Sequence, residues 1–95
     1  MLPTAQFEFD PDKSRSNKLK HGIDFEQAQE LWNFPGLVVR SDRGDEERFA
    51  RIAPTADGIL WTAAFAKRED KIRIISVRRA RKEEKELYER KTEGG

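Results

Sequence analysis

The chain has 95 residues, which is the length of a single domain. It contains no cysteine, and this excludes disulfides, thiolate catalysis and cysteine-ligated zinc. Charged residues make up 39% of the chain and hydrophobic residues 36%, but the large apolar residues fall in ordered clusters, so we expect a folded domain rather than a disordered one. The formal net charge of +1 does not by itself indicate a nucleic-acid partner.

The N-terminal residues 1–6 lack the basic start and apolar core of a signal peptide. No apolar run along the chain reaches the length that spans a membrane. The absence of cysteine is consistent with a reducing compartment. We therefore expect a cytoplasmic protein with no membrane partner.

The first predicted elements are a short strand and a helix. Residues 7–9 alternate apolar and polar side chains, which predicts the strand. Asp10 followed by Pro11 is a typical helix start, because Asp caps the free N–H groups and proline already has a helical φ. Gly22 suits a left-handed C-terminal cap, so the first helix should run from about Pro11 to His21.

A second helix is predicted directly after this glycine. Asp24 can cap it, and Gln27, three positions later, can complete a capping box. Apolar residues then recur at helical spacing and should face the core; they are Phe25, Ala28, Leu31 and Trp32. The breaker Phe34-Pro35-Gly36 ends the helix.

Strands follow the breaker and lead into a last helix. Residues 48–53 and 59–67 should form a hairpin around an Asp-Gly turn, and residues 37–41 can add a further strand. A second turn leads into residues 71–79, and the short connections favour an antiparallel meander. From Ala80 onward the pattern is helical.

This element order predicts an α+β fold. We expect a small antiparallel β-sheet with two N-terminal helices and one C-terminal helix, all packed on one face of the sheet. The whole chain, residues 1–95, should form one domain with its core between about 7 and 90. Residues 91–95 should be a frayed tail.

Charge is unevenly distributed along the chain. Residues 71–91 contain nine Lys or Arg and four Glu, a local charge of +5, whereas residues 22–47 contain two Arg and seven acids, a local charge of −5. Such separation can steer a polyanion toward one region and repel it from another. It can equally reflect solvated faces that keep the protein soluble.

Two stretches of the sequence resemble the BrnT family, and together they cover about residues 7–90. The first contains Phe7-Glu8-Phe9-Asp10, Lys13, Asn17, Lys20-His21-Gly22-Ile23, Phe25-Glu26 and Ala28. The second contains Glu47-Arg48-Phe49, Ile72-Arg73-Ile74-Ile75-Ser76-Val77-Arg78-Arg79-Ala80, Glu83, Glu84 and Tyr88. The combination of Lys-His-Gly-Ile before a capped helix with Ile-Ser-x-Arg-Arg-Ala before the last helix is fairly specific.

The resemblance implies a fold similar to the RelE superfamily and a role as the toxin of a type II toxin–antitoxin system. It implies a ribonuclease that inhibits translation and is neutralised by a BrnA-like antitoxin. It also implies that operator DNA is contacted only indirectly, through the antitoxin. We expect the antitoxin to act by direct masking, covering the basic face or a sheet edge so that RNA cannot reach the site.

RNA carries its own nucleophile, the 2′-hydroxyl, so its cleavage requires no metal or other cofactor. The dense acids of residues 42–47 lack the histidine or partner carboxylates that would indicate a metal site, so we predict none. His21 is the side chain whose ordinary pKa is nearest neutrality, and we predict it as catalytic with Lys20. Both residues could instead stabilise the C-terminal end of the first helix.

Arginine is suited to the extra negative charge of a pentacovalent phosphorane, because it is always charged and binds phosphate bidentately. We predict Arg48, Arg78 and Arg79 as catalytic, although strand alternation allows only one of the last two to share a face with the site. Alternation would also place Arg73 on the face of Ile75, Val77 and Arg79. Each arginine could instead lie on a solvated sheet face, or pair with a helix acid such as Glu26 or Glu30.

RNA-binding residues are predicted along the C-terminal part of the chain; they are Arg73, Arg81 and Tyr88. Tyr88 could stack on an unpaired base, but packing against Leu87 in the core is the stronger alternative. Two other functions stay open, a non-catalytic RNA-binding module and a protein-binding module of a toxin–antitoxin complex. A binder without activity would lose affinity, not turnover, when basic residues are removed, and its binding would weaken with salt.

Overall fold

The computed structural model describes residues 6–43 and 46–93. Three α-helices and five β-strands occur in the described residues, and a 3-10 turn extends the second helix. Their bounds in chain order are β1 Gln6–Glu8, α1 Pro11–His21, α2 Phe25–Ala28, the 3-10 turn Gln29–Trp32, β2 Leu37–Arg43, β3 Glu46–Pro54, β4 Leu60–Arg68, β5 Lys71–Arg79 and α3 Lys82–Glu93. The predicted α+β class is therefore confirmed.

The five strands form one sheet in the order β1-β5-β4-β3-β2. Strands β2 to β5 form the predicted antiparallel meander. However, β1 pairs with β5 in parallel, with Phe7 opposite Ile72, so the sheet is mixed and not purely antiparallel. A parallel pair needs a long crossover between its strands, and here α1, α2 with its 3-10 turn and strands β2 to β4 lie between β1 and β5.

Helix α1 begins and ends where its capping residues predict. The Asp10 carboxylate accepts hydrogen bonds from the backbone N–H groups of Asp12 at 2.8 Å and Lys13 at 3.4 Å. Pro11 occupies the first turn. At the other end Gly22 has a φ of 83°, and its N–H donates to the Lys18 carbonyl.

Asn17 attaches α1 to the open edge of β5. Its side-chain amide donates to the Val77 carbonyl at 2.9 Å and accepts from the Val77 N–H at 3.2 Å, as a neighbouring strand would. The same amide donates to the Ile23 carbonyl at 2.8 Å. Asn17 is buried, so these bonds satisfy groups that would otherwise be costly to bury.

Helix α1 contacts β5 at Val77. Glu8 in β1 lies opposite Arg73, and Asn17 lies against Val77, so the chain advances along β5 in the direction of that strand. Helix α1 ends one turn after Asn17, at His21.

The main core lies between the sheet and the segment of α2 with its 3-10 turn. The capping box predicted between Asp24 and Gln27 is present. Apolar residues of this segment are buried, and they pack on alternate residues of β4 and β5. From the segment come Ile23, Phe25, Ala28 and Leu31. From the two strands come Trp61, Ala63, Ile74 and Val77. We call this side of the sheet the α2 face.

A register shift in the pairing of β4 with β5 decides which side chains share a face. Ala64 lies opposite Ser76, whereas the next residue, Phe65, lies opposite Ile74, so Ile75 is an extra residue. Because of this extra residue, the side chains of β5 before Ile75 lie on the opposite face from the one that strict alternation from Val77 would give. The prediction that Arg73 shares a face with Val77 and Arg79 is therefore wrong.

Helix α3 packs on the opposite side, which we call the α3 face. Thr62 alternates with the core residues of β4, and its hydroxyl donates to Glu84 of α3 at 3.0 Å. Ile52, directly opposite Thr62, is only 1% exposed. The expectation that all helices lie on one face is therefore wrong. Residues 91–93 of the predicted tail belong to α3, which continues to Glu93, and residues 94–95 lie outside the described residues.

Candidate phosphate-binding site

A pocket of about 310 Å³ opens on the α3 face, beside the N-terminal end of α3. Three of the predicted arginines line it, and they come from β3, from β5 and from the start of α3; they are Arg48, Arg78 and Arg81. The rest of the lining consists of Ser41, Phe49, Ala50, Thr62, Ala64, Ile75 and Ser76. We call this cavity the α3 pocket. It brings together residues that are far apart in the sequence.

Arg48 has an unsatisfied donor in this pocket. Its Nε atom is buried, and it makes no hydrogen bond with any residue that the structure describes. Buried polar groups almost always have a hydrogen-bond partner, and a cationic donor without one is especially costly. Because the atom is buried, an acceptor in the pocket would reach it only if the Arg48 side chain moved.

Arg78 is held by a carboxylate of α3. Its two terminal nitrogens donate to the two oxygens of Glu84 at 2.7 and 3.0 Å, the fork geometry that arginine also offers to phosphate. The ion pair raises the pKa of Arg78. The expected alternative of an ion pair with a helix acid is thus correct for Arg78, but the acid lies in α3 and not in α2.

Glu84 also receives bonds that fix the start of α3. The Arg81 N–H donates to it at 2.7 Å, in addition to the Thr62 hydroxyl. Burial raises the pKa of Glu84, but the hydrogen bonds from Arg78, the Arg81 N–H and Thr62 together outweigh burial and lower the pKa from 4.5 to about 2. Glu84 is therefore ionised at neutral pH and is a poor proton acceptor.

The pocket has a clear excess of positive charge. Three guanidinium groups line it, and Glu84 is the carboxylate that touches one of them. Arginine does not exchange protons near neutral pH, so the pocket offers fixed positive charge and hydrogen-bond donors. This arrangement can bind an anion and can stabilise negative charge that develops on it.

The structure places the other predicted catalytic residues outside this pocket. Arg79 lies on the α2 face, with its guanidinium 5.4 Å from the centre of the Trp61 ring. His21 and Lys20 are exposed at the end of α1, and Gly22 after them lines a separate cleft of about 340 Å³ that includes Trp61. None of these three residues lines the α3 pocket.

Two predicted RNA-binding residues have structural partners elsewhere. Arg73 pairs with Glu8 of β1 at 3.3 Å. The Tyr88 hydroxyl donates to the Pro35 carbonyl at 3.3 Å, and its ring is partly buried. Tyr88 thus connects α3 to the segment just before β2. Arg81 is the member of the predicted RNA-binding set that lines the pocket.

Sequence reasoning missed the role of Glu84 and the three hydroxyl groups of the pocket. A signal for Glu84 was available, because an acid three residues after a helix start can bond back to the first N–H groups. The hydroxyl groups, those of Ser41, Thr62 and Ser76, gave no such signal. Their shared face depends on strand register, which the sequence does not specify.

The acidic residues considered as metal ligands are only partly covered by the structure. The side chains of residues 42–46 lie outside the described residues. Glu47 is exposed and pairs with Arg40 at 2.8 Å. Elsewhere in the described ranges, no three Asp, Glu or His side chains come close enough together to hold a metal ion.

The fold and the pocket define a small α+β protein with an arginine-lined cavity beside its last helix. A family model described as "Ribonuclease toxin, BrnT, of type II toxin-antitoxin system" matches residues 9–84. The chain therefore belongs to the BrnT family of ribonuclease toxins. A toxin of this kind has an antitoxin as its partner and RNA as its target.

A solved structure supports the fold. It is the crystal structure of the Brucella abortus ribonuclease toxin BrnT, with a TM-score of 0.63 and 22% identity, and the match covers 83% of this chain and 100% of that one. A search of the curated proteins finds no match. Over the residues that the structure describes, none of the helices is long and apolar enough to cross a membrane.

Proposed function

We propose that this chain is an endoribonuclease that cleaves RNA without a metal ion and thereby inhibits translation, and that the α3 pocket is its active site. The convergence of three arginines on one pocket, Arg48, Arg78 and Arg81, is the observation that most favours this location. Membership in a ribonuclease family supplies the substrate class. The pocket supplies positive charge beside the phosphate, which gains negative charge during cleavage.

The chemistry requires little more than this charge. The 2′-oxygen of RNA attacks the adjacent phosphorus, the bond to the 5′-oxygen of the next nucleotide breaks, and a 2′,3′-cyclic phosphate and a 5′-hydroxyl result. Arg48, Arg78 and Arg81 would stabilise the extra negative charge of the phosphorane. Glu84, with a pKa near 2, is too weak a base to assist. Water would take the 2′ proton and return one to the leaving oxygen.

The predicted residues outside the pocket have a lesser role in this proposal. Lys20, His21 and Arg79 are exposed and lie outside the pocket lining. A single RNA strand that enters the pocket could pass them, so they would bind phosphates away from the reacting bond. His21 would then not set the pH dependence of cleavage.

The partner in this proposal is a BrnA-like antitoxin, which would act in the cytoplasm by covering the α3 face. Direct masking fits a pocket that is open on one side and lined by arginines, since acidic side chains of a partner could replace phosphate there. Operator DNA would be contacted through the antitoxin and not by this chain.

The test is cleavage of a long RNA by the purified chain in EDTA, beside Arg48→Gln and the matched control Arg15→Gln. Arg15 is exposed on α1 and far from the pocket lining. We expect the parent and the control to cleave, and Arg48→Gln to lose about 100-fold or more in rate, the effect of removing one charge-stabilising donor. A parent that binds RNA but never cleaves it, even with ribosomes or divalent metal, would instead be the non-catalytic binding module.

A further inference from the structure

The interior of the α3 pocket is not uniformly polar. Its middle is formed by the row Ala50, Ala64 and Ser76, which lie directly opposite one another on β3, β4 and β5. These side chains are small, so the sheet surface between them is flat. Ile75, the extra residue of the register shift, adds an apolar side chain at one margin.

The polar groups lie at the two ends of this row. At one end Arg48 is paired with Ser41 on β2. At the other end Arg78 is paired with Thr62 on β4, next to Arg81. The pocket therefore presents hydroxyl and guanidinium groups at both ends and a small apolar floor between them.

Strand geometry gives the separation between the backbones of Arg48 and Arg78. Strands β3 and β5 run in the same direction, because each is antiparallel to β4. Arg48 precedes the row by two residues and Arg78 follows it by two, which separates their backbones by about 13 Å along the strands and about 10 Å across them. Both side chains nevertheless line one cavity, so they reach inward from opposite corners.

This arrangement matches the repeating unit of RNA, in which two phosphates flank a nucleoside. We propose that the α3 pocket holds one nucleoside on the floor of Ala50 and Ala64, with its two flanking phosphates bound at opposite ends by Arg48 and by Arg78 with Arg81. The inference rests on the proposed function and specifies how the substrate lies in that site. Ser76 and Arg78 lie on the same face as the floor because they pair with Ala64 and Thr62, which alternate on that face of β4.

Three features support this arrangement over a site for a single phosphate. The volume, about 310 Å³, lies at the lower limit of pockets that take whole small molecules. Arg48 lies at the end away from the Arg78–Glu84 pair, so each end has its own arginine. The floor offers apolar contact for a base or ribose, which a lone phosphate would not use.

The experiment measures binding by the intact chain with probes that it cannot cleave. Adenosine 3′,5′-bisphosphate has the full unit, the two adenosine monophosphates lack one phosphate each, and inorganic phosphate lacks the nucleoside. We expect the bisphosphate to bind about tenfold or more tightly than either monophosphate, and inorganic phosphate to bind most weakly. Equal affinity for the bisphosphate and the monophosphates would overturn the proposal.

Variants test each part of the pocket separately. Arg48→Gln should reduce the affinity for bisphosphate to that for a monophosphate. Ala64→Leu fills the floor and should weaken bisphosphate binding about fivefold or more while leaving inorganic phosphate unchanged; Ser76→Leu, at an exposed position, is a second variant with the same expected result. Ala56→Leu in an exposed loop is the matched control. Full bisphosphate affinity in both floor variants would contradict the assignment.

Binding and cleavage results separate this inference from the proposed function. A chain that cleaves RNA in EDTA but does not prefer the bisphosphate retains the ribonuclease proposal and refutes the arrangement of its substrate. A chain that prefers the bisphosphate but leaves RNA intact supports the arrangement and refutes catalysis.

Discussion

Replacing Glu84 by glutamine should destabilise the fold in a way that depends on pH. The hydrogen bonds from Arg78, Arg81 and Thr62 lower the pKa of Glu84 from 4.5 to about 2. At roughly 1.4 kcal/mol per pH unit, this difference corresponds to about 3 kcal/mol at neutral pH. The Glu84 side chain is 22% exposed, so solvent screening reduces the expected loss in Glu84→Gln to about 2 kcal/mol.

The sign of the pH dependence follows from the lowered pKa of Glu84. A carboxyl whose pKa is lower in the folded state stabilises the fold above its unfolded pKa, and this contribution disappears as the pH falls toward the folded value. The difference in free energy of unfolding between the parent and Glu84→Gln should therefore be largest at pH 7 and decrease as the pH falls from about 4.5 to 2. Glutamine keeps an acceptor for the Arg81 N–H, so the variant should still form α3.

Urea unfolding at pH 7, 5 and 3, followed by circular dichroism, measures this difference. Glu89→Gln, at an exposed position of the same helix, is the matched control and should change stability by less than about 0.5 kcal/mol. A loss in Glu84→Gln that is the same at all three pH values would refute the reasoning, because it would show that the charge of Glu84 does not stabilise the fold.

Three further predictions concern Asn17 at the edge of β5, His21 at the end of α1 and Arg48 in the pocket. Asn17→Ala should destabilise the chain by about 3 kcal/mol in urea unfolding, because it removes three buried hydrogen bonds; a loss under about 1 kcal/mol would show that water replaces them. His21→Ala should leave the cleavage rate within about threefold and the shape of its profile between about pH 5 and 8 unchanged, whereas loss of a neutral-pH inflection would make His21 an acid or base. Arg48→Gln should make the slope of the log binding constant for single-stranded RNA against log salt concentration less steep by about 0.7, the contribution of one phosphate contact. An unchanged slope would exclude that contact.

Local signals in the sequence predicted the helices well. Asp10, Pro11 and Gly22 define α1 at both ends, because capping depends on residues within one turn of the helix end. The capping box of Asp24 was predicted for the same reason. The parallel pairing of β1 was not predicted, since it depends on where a distant segment docks and not on the three residues of that strand.

The site was predicted in part, and the missing part has a physical cause. Arginine chemistry identified Arg48 and Arg78, and alternation correctly separated Arg78 from Arg79 onto opposite faces. The sequence did not reveal the register shift at Ile75, which changes face relationships along β5 by one residue. It also did not reveal that α3 crosses to the second face, so the role of Glu84 was missed.

The two faces also suggest how the charge separation along the chain is used. The basic C-terminal region supplies Arg78 and Arg81 to the pocket, whereas Glu26 and Glu30 lie in α2 and its 3-10 turn on the other side of the sheet. A polyanion would be attracted to the arginines of the pocket and repelled by Glu26 and Glu30. In the proposed function, this asymmetry would favour entry of RNA at the pocket.

The most direct test of the central claim compares the neighbouring residues Arg78 and Arg79, which lie on opposite faces of the sheet. The measurement is the single-turnover rate of RNA cleavage in EDTA by Arg78→Gln and Arg79→Gln, each shown to be folded by circular dichroism. If the α3 pocket is the active site, Arg78→Gln should lose about 100-fold or more, and Arg79→Gln should stay within about threefold of the parent. A large loss in Arg79→Gln with activity retained in Arg78→Gln would place the reaction on the α2 face and contradict the account.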